Sequence, residues 1–248
     1  MGVYQNWIAS GRGNVMLSLP MTDAATCHIN EAGTGDFTQN GLIMTADRGA
    51  NMDNCVASKF DGVDDGLSNT NIGASDSKEF IFSCVFKYTT ASNSNYLFSM
   101  QPVYGTNDLF YINLDNNGDL NVIGYTVGSY GSPILNVKLL NNYLKLGREY
   151  SIQISFDTSN TSNRKFTLNG VNIPDTNWTI STYTDIVQNF SNSTYTSIGK
   201  RYTNEFFGSI GELYFDTNYI DIATNNPFWN SDTNKPIPVR TAMANLGS

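Results

Sequence analysis

Five aromatic residues, Tyr104, Tyr125, Tyr130, Trp178 and Trp229, fall in or beside stretches rich in Gly, Asn and Ser, with Asn107 close to the first of them. A ring presented from such a loop can stack on the apolar face of a sugar while amide and carboxyl side chains hydrogen-bond its hydroxyls. Tyr104 and Tyr130 are the first choices for that role; Asn107, Tyr125 and Trp178 complete the candidate set. For any one ring the plainer reading is packing beneath a loop or at a subunit contact.

Three acids crowd one short segment, Phe60-Asp61-Gly-Val-Asp64-Asp65. Aspartates so placed could offer hard oxygens to calcium. The same spacing makes an Asx-type turn, in which the carboxylates accept backbone N–H groups. The turn is preferred, so no cofactor is expected, and calcium through Asp61, Asp64 and Asp65 is the alternative. Asp115-Asn-Asn-Gly-Asp119 has its glycine fourth and Thr126 at position twelve, whereas an EF-hand loop needs glycine at six and glutamate at twelve; it reads as a hairpin turn. Glu212 and Asp216, four apart on one strand, would stand about 13 Å from each other, too far for a glycosidase pair. His28 is the only histidine, next to Cys27, and no G-x-S-x-G elbow occurs. Binding rather than catalysis is expected.

Strands must position these groups, since alternating apolar segments bounded by turn residues recur and no stretch sustains helical spacing. Phe80-Ile-Phe-Ser-Cys-Val-Phe-Lys-Tyr puts Phe80, Phe82, Cys84, Phe86 and Tyr88 on one face and Ile81 and Val85 on the other, as a central strand requires. Asn117-Gly118 and Asn169-Gly170 are hairpin dipeptides. Segments 126–147 and 171–193 lack clean alternation, and the second reads as a decorating loop. Pro227, Pro236 and Pro238 make 223–248 an extended arm, and 1–13 a second arm.

The chain has 248 residues, a formal charge of -8, 15% charged residues, fourteen Tyr and fourteen Phe. A charged share well under the usual level of about 25% implies a surface of neutral polar groups. The acidic balance lacks the basic footprint that phosphate binding needs, so nucleic acid and anionic membrane are not expected partners. No cleavable leader and no apolar run of the roughly 20 residues that span a bilayer are evident. Cys27, Cys55 and Cys84, odd in number and without CxxC spacing, fit reduced thiols and synthesis in a cytoplasm.

Leu17-Ser-Leu-Pro, Phe60-Asp-Gly-Val-Asp-Asp-Gly-Leu, a long central set of strands and Phe207-Gly-Ser-Ile-Gly-Glu-Leu-Tyr-Phe occur in that order. Together, over roughly 14–222, they resemble the laminin-G-like, concanavalin A-type jelly-roll family. The phrases Gly33-x-Gly-Asp-Phe-Thr-x-Asn-Gly and Tyr219-Ile-Asp-Ile, with Phe228 and Lys235-Pro, look like the version found in tailed-bacteriophage virion proteins. The resemblance implies an all-β, two-sheet antiparallel sandwich over 14–222 flanked by the two arms. Some members of the family use acidic rim residues for calcium. Glycanases on the fold align two glutamates and an aspartate, as in E-x-D-x-x-E, and none of Glu31, Glu79, Glu149, Glu205 and Glu212 begins that pattern. The function expected is a non-enzymatic structural virion protein, decorating a capsid or forming part of a head or tail fibre, with glycan attachment as a further capacity. Its partners would be other virion proteins and copies of itself held through the arms. A free lectin-like module and, after it, a glycan hydrolase are the alternatives.

Overall fold

The computed structural model describes residues 15–19, 37–40, 44–45, 57–70, 72, 74–90, 95–102, 109–127, 131–140 and 143–246. The first strands are β1 (Val15–Leu19), β2 (Thr38–Asn40), β3 (Met44–Thr45), β4 (Ser58–Asp61), β5 (Gly66–Asn69), β6 (Glu79–Tyr88) and β7 (Asn95–Gln101). The middle ones are β8 (Phe110–Leu114), β9 (Leu120–Gly124), β10 (Leu135–Leu139), β11 (Glu149–Asp157), β12 (Arg164–Leu168), β13 (Val171–Asn172) and β14 (Trp178–Tyr183). The last are β15 (Tyr195–Ile198), β16 (Lys200–Arg201), β17 (Asn204–Glu205), β18 (Phe207–Asp216), β19 (Trp229–Asn230) and β20 (Lys235–Pro236), followed by helix α1 (Val239–Leu246).

Two eight-stranded antiparallel sheets face each other. The first runs β13-β12-β11-β6-β18-β4-β3, with β1 also on β18; the second runs β14-β10-β9-β8-β7-β15-β5-β2. Strand β18 serves two partners on one side, pairing β4 through Phe207–Ile210 and β1 through Leu213–Asp216. Alternation sends Phe80, Phe82, Cys84 and Phe86 of β6 into the space between the sheets, where they meet Phe98, Phe110, Phe156, Phe190 and Phe215. Phe80–Phe110 and Phe98–Phe215 have ring centroids 5.0 Å apart, in the range where aromatic pairs add to plain area burial. Cys84 is a buried free thiol whose pKa burial pushes well up, consistent with an inert core role. Cys27 and Cys55 lie outside the described residues.

The outer face of the first sheet is closed by the chain itself. Ile81 of β6 and Tyr214 of β18 form a second cluster with Ile222, Phe228, Val239, Ala242, Met243 and Leu246. Beneath the same segment Gln153, fully buried, donates to Ser151 Oγ (2.8 Å) and accepts from Thr167 Oγ1 (2.6 Å) and Asn226 Nδ2 (3.0 Å). The Ile220 N–H donates to Ser155 Oγ (2.9 Å) and that of Tyr219 to Glu79 Oε2 (3.0 Å). Thus 223–248, expected as an extended arm, is over its described part a β19–β20 ladder and a helix seated on the sandwich. Pro238 stands just before the helix, where a missing N–H is harmless, and the buried positions Val239, Ala242, Met243 and Leu246 follow helical spacing. Segment 1–13, the other expected arm, lies outside the described residues.

Bulges interrupt the ladders of β14 and β18. In β14 the ladder to β10 pairs Val137 with Ile180 and Asn136 with Thr182, leaving Ser181 extra. In β18, Glu212 takes φ +49° where the ladder to β6 slips between Gly211 and Tyr214. A non-glycine residue held there needs a reason. Glu212 Oε2 accepts the Val239 N–H at 2.7 Å, which ties the first turn of α1 to the sheet and places a carboxylate where a helix dipole favours it.

Candidate binding face

On the second sheet the core takes Phe110, Ile112 and Leu114 of β8 and Leu120 and Val122 of β9. Period-two geometry therefore turns Tyr111, Asn113, Asn121 and Ile123 to the outer face. There the rings of Tyr96, Tyr111 and Tyr125 run in a row, with centroids 5.5 Å and 6.5 Å apart. The Arg201 guanidinium of β16 lies 5.1 Å from the Tyr96 ring, 5.7 Å from Tyr111 and 4.7 Å from Tyr202, and its Nη1 donates to Tyr96 Oη at 2.8 Å. Such cation–π contacts fix both partners and are worth about 0.5–2 kcal/mol each. The β16–β17 hairpin that holds Arg201 is tied by the Lys200–Glu205 ion pair at 2.8 Å.

Polar groups flank the row. Asn113 stands opposite Asn121 on β9 and opposite Tyr96 on β7, and Asn121 stands opposite Lys138 on β10. Asn113 Oδ1 is buried without a hydrogen-bond partner among the described residues, as are both amide atoms of Gln101. Buried polar atoms are nearly always paired, with protein, water or ligand. At one end Lys138 Nζ reaches Asp115 (2.8 Å) and Asp119 (3.2 Å). Burial opposes ionisation of Asp115, but the Lys138 ammonium and the backbone N–H groups of Asn117 and Asp119 outweigh it and hold the carboxyl below its ordinary range. Asp115 Oδ1 accepts those two N–H groups and Gly118 takes φ +79°, so 115–119 is the expected hairpin turn. The face thus combines rings, amides and a fixed ion pair: Tyr96, Asn113 and Asn121 are buried, and half-buried Tyr111, Tyr125 and Tyr202 reach solvent.

Of the sequence-derived candidates, Tyr125 joins this row. Trp178 does not: it points between the sheets, 5.8 Å from Phe156 and 6.1 Å from Phe166, because 171–193 contains strand β14 and the Trp178 position faces the core opposite Leu139. Tyr104, Asn107 and Tyr130 lie outside the described residues, as does His28. Tyr96, Tyr111, Asn113, Asn121, Lys138, Arg201 and Tyr202 were missed as site residues. The signal available was the alternation itself, which in Phe-Tyr-Ile-Asn-Leu assigns Tyr111 and Asn113 to the face opposite the core.

Carboxylate oxygens of Asp61, Asp64 and Asp65 come within 4.8 Å of one another. Asp61 Oδ1 already accepts the N–H of Val63 (2.8 Å) and of Asp64 (3.4 Å), and Asp65 Oδ2 that of Asp61 (2.8 Å). This is the Asx-type turn, completed by Gly62 at φ +75°, where a Cβ would strike the Phe207 ring. Burial, with the neighbouring Asp61 and Asp64 charges, pushes the Asp65 carboxyl up to about 6 despite the Asp61 N–H. Glu212 holds α1, and Asp216, at the end of β18, accepts from Tyr214 Oη at 3.1 Å.

No protein-family model matches the sequence, and a search of curated proteins finds no match. Solved structures do resemble the fold. The binding domain of botulinum neurotoxin serotype D, in complex with N-acetylneuraminic acid, superposes with TM-score 0.60 at 13% identity, over 88% of this chain and 51% of that one. The serotype G binding domain gives 0.60 at 12% identity, over 90% and 54%. Domain 4 of AbnA, a GH43 extracellular arabinanase from Geobacillus stearothermophilus, in complex with arabinotriose, gives 0.56 at 15% identity, over 86% of this chain and 97% of that one. The chain spans about half the length of the toxin domains it matches. These likenesses support the concanavalin A-like sandwich that the sequence resemblance implies.

Proposed function

We propose that the chain is a non-catalytic carbohydrate-recognition sandwich whose binding face is the outer surface of the second sheet. The observation that carries this reading is the Tyr96–Tyr111–Tyr125 row, fixed by Arg201 and flanked by Asn113 Oδ1, which has no hydrogen-bond partner among the described residues. Sugar rings stack on such surfaces through their C–H faces, and their hydroxyls satisfy amides of this kind. The glycan complexes of the toxin domain and of the arabinanase domain support the reading, since both proteins have the same architecture.

The test is a glycan array followed by titration of the best ligand against wild type and Tyr111→Ala. Loss of roughly tenfold or more in affinity, as for an aromatic anchor, is expected while the melting temperature holds. Absence of any glycan binding by the wild type, or equal affinity in the variant, refutes it.

The narrower reading sets the domain in a tailed-phage virion, as a capsid decoration or fibre component that assembles with copies of itself. It rests on the short sequence phrases around Gly33 and Tyr219. Mass spectrometry of purified particles tests it directly: the chain must be present in stoichiometric amount.

A further inference from the structure

A second surface of the sandwich has the opposite electrical character to the chain as a whole. At the end of the first sheet a pocket of about 560 Å³ is lined by Lys87, Lys145, Gly147, Arg148, Glu149, Tyr150 and Asn169. Its size is that of a small-molecule site. In a chain with 22 acids against 14 Lys and Arg, three cationic residues and one acidic residue line it. Among the described residues, none of Lys87, Lys145 and Arg148 takes part in an ion pair. A concave surface dominated by one sign of charge focuses the field on whatever enters it.

The walls are held by backbone hydrogen bonds rather than by the charges themselves. The Gly147 N–H donates to the Tyr88 carbonyl (2.8 Å) and that of Arg148 to the Lys145 carbonyl (3.2 Å), which fixes the turn carrying both exposed cations. The Lys145 N–H donates to Tyr150 Oη at 2.7 Å, leaving the phenol proton to donate elsewhere. Opposite stands the Asn169-Gly170 hairpin turn, both residues at positive φ. Asn169 Oδ1 accepts the Ser151 N–H at 2.8 Å, so its amide NH₂ remains as a donor. A Cβ at Gly147 would meet nothing within 4 Å, so the mouth is open there. Lys87 and Glu149 face each other across the β6–β11 ladder and set one cation beside the single acceptor.

We propose that this pocket binds the carboxylate of an acidic monosaccharide unit, of the hexuronic acid class. Arg148, Lys145 and Lys87 take the carboxylate, and Glu149 and Asn169 take ring hydroxyls as acceptor and donor. The single acceptor discriminates among anions: Glu149 can accept from a hydroxyl but repels a ligand carrying charge on every side, such as sulfate. The site lies on the other sheet from the tyrosine row and stands or falls apart from it.

Titration calorimetry with glucuronate, glucose and inorganic sulfate, at low and at physiological salt, tests the assignment. Proteins are the wild type, the double variant Lys145→Gln/Arg148→Gln and Tyr111→Ala. Both substituted cations are exposed, so the double variant should melt with the wild type. Glucuronate should bind the wild type more tightly than glucose or sulfate, by roughly tenfold. That preference should shrink with salt, vanish in the double variant and persist in Tyr111→Ala. The assignment is overturned by no binding of glucuronate, by equal binding of glucose, by sulfate binding as tightly as glucuronate, or by a double variant that binds like the wild type.

Discussion

Replacing Asp216 by Asn should stabilise the protein at neutral pH and leave it unchanged in mild acid. Asp216 is 1% exposed at the end of β18. Burial pushes its carboxyl up to about 6, against the opposing pull of the Asn218 amide, the Thr217 N–H and the Tyr214 hydroxyl. An unfolded aspartate titrates near about 3.9. Between those values the folded state holds a proton that the unfolded state has released, so stability falls as pH rises through that interval. The contribution is fully present below about pH 4 and is lost above about pH 6, and its size is up to about 3 kcal/mol. Asn keeps the shape without the charge: its carbonyl can accept from Thr217 N–H and Asn218 Nδ2, now 2.6 and 3.1 Å from Asp216 Oδ1, and its amide can donate to Tyr214 Oη. Urea unfolding of both proteins at about pH 4 and about pH 7.5 measures the effect. Coincident midpoints in acid and a higher midpoint for the variant near neutrality are expected. Some slope should remain in the variant, since the raised Asp65 carboxyl acts in the same direction. A variant-minus-wild-type difference that is flat across this range, or that favours the wild type at the higher pH, refutes the reasoning.

Truncating Trp178 to Ala should lower stability by about 3–5 kcal/mol, as for a large buried aromatic, without altering any glycan affinity; denaturant unfolding and the array-selected ligand check the two halves. Glu212→Ala leaves the Val239 N–H without its acceptor and should cost about 1–3 kcal/mol. Limited proteolysis should then cut within 217–246 sooner than in the wild type, while a Glu212→Gln variant retains partial protection.

Strand β6 was legible because its apolar residues occupy both faces, and the reason for the second face is now physical: Ile81 is covered by the C-terminal cluster. What hid β14 was its bulge. With Ser181 extra, Trp178, Ile180 and Tyr183 share the inner register although their sequence spacing is not uniform, so the alternation breaks in the middle. Helix α1 was hidden by length and by its prolines. Eight residues give barely two turns of periodicity, and Pro236 and Pro238 weigh against a strand without arguing for a helix. The candidate face is hidden for a different cause. Sequence points to exposed aromatics in loops, whereas Tyr96 and Tyr111 sit in strands whose inward residues carry all the apolar signal; that their outer face is left to polar groups and rings is decided by which neighbour covers it, a property of the tertiary fold. Glu212 likewise reads as one letter of Gly-Glu-Leu until the bulge turns it toward the Val239 N–H.

The position of β18 has a consequence for the order in which the protein can be made. It is the strand that β6, β4 and β1 all pair with, and its Phe215 lies against Phe98 and Phe110, yet it is translated after all of them. Until residues 207–216 leave the ribosome, earlier strands present unpaired N–H and C=O edges and a core lacking its centre, the condition under which nascent β-rich chains associate with one another. The sandwich therefore closes late and from the C-terminal side, with non-local contacts that make closure slow. A fragment that stops short of β18 is an open sheet with a sticky edge, and chaperone occupancy on the nascent chain should persist until that strand emerges.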